Sequence, residues 1–300
     1  MTAIAAPARR GGSTSRFLGR LASRTAVRVG VILVTVVWSL PTAGLLVSSL
    51  RPVNDIRQTG WWEAILHPFE AATQWTLANY EAVLSSNGMA GAFINSLVVT
   101  IPATVIPITM AAFAAYAFAW MRFPGRSLLF AVVVGLLVVP IQMSLVPVLR
   151  MYVTLDLNGT FLGVWLAHSA FGLPLAIFLL YNYISQLPGD LFESAAIDGA
   201  SHFQIFRRIV VPLSVPALAS FAIFQFLWVW NDLLIALIFL GTTEDVSVMP
   251  TALNELVGSR GEAWHLLTAG AFVTMVVPLT VFLLLQRFFV RGIVAGSVKG

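Results

Sequence analysis

Six long apolar runs divide this chain, at 27–50, 92–120, 127–149, 160–185, 213–240 and 265–289. A helix needs about 20 largely apolar residues to cross a bilayer, and each run is long enough. The sequence therefore predicts an all-α membrane protein with six transmembrane helices. Charged residues make up only 10% of the chain, against roughly 25% in soluble domains. Such a chain could not cover a water-facing surface. With no cysteine, disulfides and thiolate metal sites are excluded.

Basic residues set the orientation. Arg9, Arg10, Arg16, Arg20, Arg24, Arg28, Arg122, Arg126, Arg207, Arg208, Arg287, Arg291 and Lys299 fall on one side of the spans. Only Arg51, Arg57, Arg150 and Arg260 fall on the other. Basic residues are retained in the cytoplasm, so both termini are expected there, as an even number of spans requires. The net charge of +4 reflects this topology and not a nucleic-acid partner. The chain is read as a basic, disordered cytoplasmic tail over 1–25, a six-helix permease domain over 26–290, and a cytoplasmic tail over 291–300. The first run is about twice the length of a signal peptide's apolar core, so it is expected to stay as a span.

One cytoplasmic loop, 186–212, is polar, basic and helical in pattern. Leu191, Phe192, Ala195, Ala196, Phe203, Phe206, Ile209 and Val210 recur near helical spacing. Asp190 is placed as N-cap with Glu193 three residues on, a capping-box pattern. Gly199 ends the first short helix, and a second runs to Pro212. From these residues alone, an amphipathic helix lying on the membrane and a helix that docks on a partner remain equally open.

The segment ESAAIDGASHFQIFRRIVVP, 193–212, resembles the EAA signature of permease subunits in bacterial ABC importers. It matches that pattern at Glu193, Ala195, Asp198, Gly199, Ile209 and Pro212, and departs from it at Ser194 and Val211. NYEAVL at 79–84, INSLVV at 94–99, WNDLLIALIFL at 230–240 and QRFFVRGIVAGSVKG at 286–300 are similar to segments of maltose-type carbohydrate permeases. ELVGSRGEAWHLLTAGAF at 255–272 leans toward an α-glucoside branch. The resemblance implies the type I ABC importer permease fold in a bacterial inner membrane. It implies a second permease, an ATP-binding cassette ATPase dimer, an extracytoplasmic solute-binding protein and a sugar, an oligosaccharide or α-glucoside, as partners. Glu193, Ala195, Ala196, Asp198, Gly199, Ala200, Phe203, Arg207 and Pro212 would then couple to the ATPase, and the tail residues Gly296, Ser297 and Lys299 would touch it. The outer loop 241–264 would meet the binding protein.

A Walker A loop requires Gly-Lys-Ser/Thr, and the sole lysine, Lys299, is followed only by Gly300. ATP and Mg²⁺ therefore belong to the partner, and this chain is expected to bind no cofactor and to catalyse no reaction. No metal-ligand spacing occurs among His67, His168, His202 and His265. Asp232 is the one acid inside a predicted span, where burial in lipid costs about 2.5–3.5 kcal/mol on insertion scales. With Asn95, Gln142, His168, Gln225 and Asn231 it forms the candidate substrate path. Trp165, Phe171, Tyr181, Trp228 and Trp230 could offer faces to a sugar ring. For each, the competing role is interhelical hydrogen bonding or packing. A stand-alone secondary transporter or channel is the alternative function, disfavoured by the scarcity of intramembrane ionisable groups. An intramembrane enzyme lacks a catalytic constellation.

Overall fold

The computed structural model describes the backbone of residues 13–67, 75–86, 88–257 and 263–297, and the side chains of 25–67, 75–85, 88–257 and 263–286. The described residues are helical throughout, with short connections, and the chain divides between Thr76 and Leu77 into two compact units.

The first unit contains α1 (Ser13–Ser49), α2 (Val53–Gln58) and α3 (Glu63–Leu66). Helix α1 begins within the segment expected to be a tail and continues through the first span. After it the chain turns around Arg51, which is fully buried. Its guanidinium donates from Nη1 to the carbonyls of Thr59 and Gly60, at 3.3 and 2.9 Å, and from Nη2 to Thr59 Oγ1. Arg51 thus gathers backbone acceptors that a short irregular loop could not otherwise pair.

The second unit holds α4 (Ala78–Glu81), a π-turn (Ala82–Ser86), α5 (Met89–Trp120), α6 (Arg126–Leu136), α7 (Ile141–Thr154), α8 (Phe161–Ile184), α9 (Gly189–Ile197) and α10 (His202–Ile205). A second π-turn (Phe206–Val210) leads into α11 (Val211–Trp230), followed by α12 (Leu233–Phe239), α13 (Met249–Val257) and α14 (Trp264–Ser297). Helices α5, α8 and α11 pack as its centre. Small buried residues recur at four-residue spacing along α5 and α8: Ala111 and Ala115, Gly172 and Ala176. In lipid, where apolar solvent offers no hydrophobic drive between helices, such residues let backbones approach closely. Indole donors reinforce the packing. Trp165 Nε1 donates to Val98 O at 2.9 Å, and Trp230 Nε1 to Thr274 O at 3.1 Å.

Among the described residues, five helices are long and apolar enough to cross a membrane: Thr25–Ser49, Met89–Trp120, Phe161–Ile184, His202–Trp230 and Trp264–Gln286. A bent helix pair supplies a sixth candidate span. The run expected as one helix over 127–149 breaks at 137–140, and its halves α6 and α7 meet at 100°. Pro140 has no N–H to continue the first helix and restricts Val139 before it. The fifth run also differs. Its helix starts at His202 and stops at Trp230, because Asp232 turns its carboxylate to the Ile235 N–H at 3.0 Å and starts α12. The last helix continues through Ser297, where a tail was expected from 291.

Candidate functional site

The loop after α8 is built as a rigid bracket. Helix α9 starts after Pro188, so Asp190 sits in its first turn, not at the N-cap where the sequence reading placed it. There its charge still complements the helix dipole. The end of α9 is a Schellman turn. Ala200 N–H reaches Ala195 O at 3.0 Å, and Gly199 N–H reaches Ala196 O at 3.1 Å. Gly199 carries φ +75°, the left-handed value this turn demands. A capping box then opens α10. Gln204 N–H donates to Ser201 Oγ at 3.3 Å, and Ser201 N–H donates to Gln204 Oε1 at 2.8 Å. Val211 N–H bonds back five residues to Phe206 O. This π-turn stands directly before Pro212, which cannot donate to the preceding turn.

Three aromatic side chains of α5 hold the bracket. Phe192 stacks on Trp120 with ring centroids 3.7 Å apart, and Phe206 stacks on Phe113 at 4.3 Å. Tyr116 Oη and His202 Nδ1 lie 3.0 Å apart. Trp120 Nε1 also donates to Ile184 O at 3.0 Å, fixing the end of α8 to the same point. None of Phe113, Tyr116, Trp120 or His202 was among the sequence candidates. The readable signal for Phe113, Tyr116 and Trp120 was aromatic residues at near-helical spacing just before the polar break RFPGR.

With Phe192, Ile205, Phe206 and Val210 turned inward, the opposite face is open. Ile197 is 86% exposed and Phe203 60%, on either side of the Gly199 turn. Glu193, Ala196, Asp198, Gly199, Arg207 and Pro212 are exposed with them, and Ala195 and Ala200 are half-buried. An open groove of about 400 Å³ runs beside them, lined by Ala195, Asp198, Gly199, Gln204 and Arg208. No atom lies within 4 Å of where a Cβ on Gly199 would stand. Of the tail candidates, Gly296 and Ser297 lie in the last turn of α14 with side chains outside the described residues. Lys299 is outside them entirely.

The candidate path residues separate into three settings. His168 and Gln225 are fully buried among α5, α8 and α11. Gln225 Nε2 donates to Ala103 O at 3.1 Å and His168 O at 3.4 Å, while Gln225 Oε1 and His168 Nδ1 have no hydrogen-bond partner among the described residues. His168 and Asp232 line one small enclosed cavity with Ser96 and Thr100. Asn95 Nδ2 donates to the carbonyls of Asp245 and Ser247, and Asn231 Nδ2 to Leu227 O. Gln142 is exposed on the first turn of α7. Of the aromatic candidates Trp230 is buried and Trp165, Phe171, Tyr181 and Trp228 are half-buried; Trp228 meets His168 edge-on at 5.2 Å, and Tyr181 packs on Phe130 at 4.3 Å.

Residues 93–295 match the family described as binding-protein-dependent transport system inner membrane component. The chain belongs to this family. The permease is 62% identical to the osmoprotective compounds uptake permease protein GgtD of Synechocystis, over 91% of either chain. It is 44% identical to the alpha-glucoside transport system permease protein AglG of Rhizobium meliloti, over 92% of this chain and 97% of that one. The trehalose transport system permease protein SugB of Mycobacterium tuberculosis is 33% identical over 91% of this chain and 94% of its own. The fold is that of a bacterial ABC transporter that imports the polysaccharide alginate, with a TM-score of 0.69 at 18% identity, covering 94% of this chain and all of that one. The permease is therefore a membrane-embedded transport subunit of an ABC importer and not an enzyme, and ATP is handled by an ATPase partner.

Proposed function

We propose that this permease forms half of the path for a small neutral glycoside and receives the ATPase stroke through residues 193–212. The single observation that carries the coupling reading is the exposure of Ile197 and Phe203 around Gly199, on a loop otherwise pinned to α5. Apolar knobs beside a groove, on a mechanically fixed bracket, suit a protein cleft. ATP-driven closure of the ATPase dimer would carry the loop with it and rock the bundle between inward- and outward-open states. The coupling residues are Glu193, Ala195, Ala196, Asp198, Gly199, Ala200, Phe203, Arg207 and Pro212. The end of α14 with Gly296, Ser297 and Lys299 forms a second contact with the ATPase. Both termini face the cytoplasm. Arg122, Arg126, Arg207 and Arg208, near the Trp120 end of α5, support this orientation.

The cargo reading joins two observations. Relatives are named for osmoprotective compounds and for alpha-glucosides. Helices α5, α8 and α11 carry no acidic or basic residue besides His168, so nothing along them answers a charged substrate. An α-glucoside small enough to be accumulated as an osmolyte fits both. His168, Gln225 and Asp232 are the path residues the geometry supports best: His168 and Gln225 are fully buried among α5, α8 and α11, and Asp232 lines the small cavity beside His168. Uptake of a labelled α-glucoside by cells carrying the intact transporter tests the cargo. Competition by neutral α-glucosides but not by charged sugars is the expected result, and uptake unaffected by any of them would refute it.

A further inference from the structure

Helix α5 is held at both ends. Its Trp120 end carries the coupling loop through Trp120, Tyr116 and Phe113. At its other end Asn95 Nδ2 donates to Asp245 O and Ser247 O, both at 3.0 Å. The buried Ser96 Oγ accepts the Met249 N–H at 2.8 Å. Asn95 and Ser96 thus clamp the segment that starts α13. That start is itself closed by Thr251, whose Oγ1 accepts from Val248 N–H at 2.9 Å and lies 3.0 Å from Ser247 Oγ.

Several routes connect the coupling loop to α13, including α8 through α12 and α11 through α14. The covalent one runs along α11 and is broken at Asn231–Asp232 and again between α12 and α13. The route through α5 has no break. It is a single helix of 32 residues, about 48 Å long at 1.5 Å per residue, and Pro102 and Pro107 leave it continuous. A stiff helix fixed at each end transmits displacement, whereas a chain with two turns absorbs it.

We infer that Asn95 and Ser96 are positioning residues that lock the segment Asp245–Val257 to α5, so that movement of the coupling loop arrives at α13 as movement of one rod. This gives Asn95 a mechanical role in place of a sugar contact. It rests on the coupling reading above, and the test separates the two.

The chain has no cysteine, so Leu191→Cys on α9 and Glu255→Cys on α13 each create a single labelling site in a transporter whose partner cysteines have been removed. Each is labelled with bimane in the reconstituted complex, and emission is read before and after trapping with ATP and vanadate. Both labels shift in the unsubstituted background. With Asn95→Ala/Ser96→Ala the Leu191 label still shifts and the Glu255 label does not. Uptake per ATP hydrolysed then falls about five- to tenfold, the lower range of coupling between sites. Ser96→Thr, which keeps the accepting hydroxyl, retains the Glu255 response where Ser96→Ala loses it, and this pair decides the matter should the double variant fail to assemble. A Glu255 label that shifts undiminished without the clamp overturns the inference while the coupling reading stands. A Leu191 label that never responds removes the coupling reading and this inference with it.

Discussion

Two glycines carry opposite constraints, and each sets a test. Around Gly199 the constraint is conformational, and the neighbouring space is open. Asparagine tolerates the left-handed region far better than valine. Gly199→Asn should therefore preserve the turn and Gly199→Val should strain it, yet both place atoms where the ATPase would sit. We expect both variants to insert normally and to lose most transport, with Gly199→Val the more severe, as read by membrane-fraction abundance beside uptake. Normal uptake in Gly199→Asn would mean that only the turn matters and no partner approaches closely. At Gly172 the constraint is space. A Cβ there would stand 2.5 Å from Gln225 Oε1 and 2.8 Å from Nε2. Gln225 is fully buried and tied to the Ala103 carbonyl, so it yields only by losing that bond. Gly172→Ala should cost about 1–3 kcal/mol, the range for overpacked interiors. Adding Gln225→Ala should recover part of the loss, measured by thermal unfolding in detergent. No recovery would show that Gln225 is not what the methyl meets. The Gly199 turn was legible in the sequence because its neighbours carry the EAA spacing. The Gly172–Gln225 fit was not, because nothing local connects residues on α8 and α11.

Among the elements, hydropathy located each span but not its breaks. A proline within an apolar run can sit in an unbroken helix, as Pro102, Pro107 and Pro174 do. It can also end one, as Pro140 does. What decides is whether neighbouring helices hold the chain straight across the missing hydrogen bond, a tertiary fact. Likewise Asp232, which hydropathy leaves inside a span, becomes an N-cap because a carboxylate at a helix start satisfies a free N–H. The bracket of α9 and α10 was readable as two short helices parted by Gly199. Its anchoring on α5 was not, since Trp120 and Phe192 are distant in sequence and nothing near either residue announces their 3.7 Å stacking. That contact carries its own prediction. Phe192→Ala removes the ring from a buried position, where such truncations cost about 3–5 kcal/mol. The cost should appear as local loosening: faster proteolysis within 186–212 and weaker coupling of ATP hydrolysis to uptake, with the spans intact. Unchanged proteolysis would show that α9 is held by other contacts.

For the molecule as a whole, the account joins a lipid-embedded helical unit to an energy source that it does not itself contain. The proposed orientation rests on the positive residues, so a reporter fused after Gly300 should be active only if it works in the cytoplasm; one that works only outside would reverse the topology and place the coupling loop on the wrong face. The central claim is that transport by this chain is driven through the 193–212 loop. The most direct measurement is α-glucoside uptake into proteoliposomes holding this permease with its second permease and ATPase, with the solute-binding protein on the outer side. The account predicts uptake that requires both ATP and the binding protein and is lost in Gly199→Val although the complex still inserts. Uptake by the permease alone, without ATP, would contradict it and mark the chain as a secondary transporter.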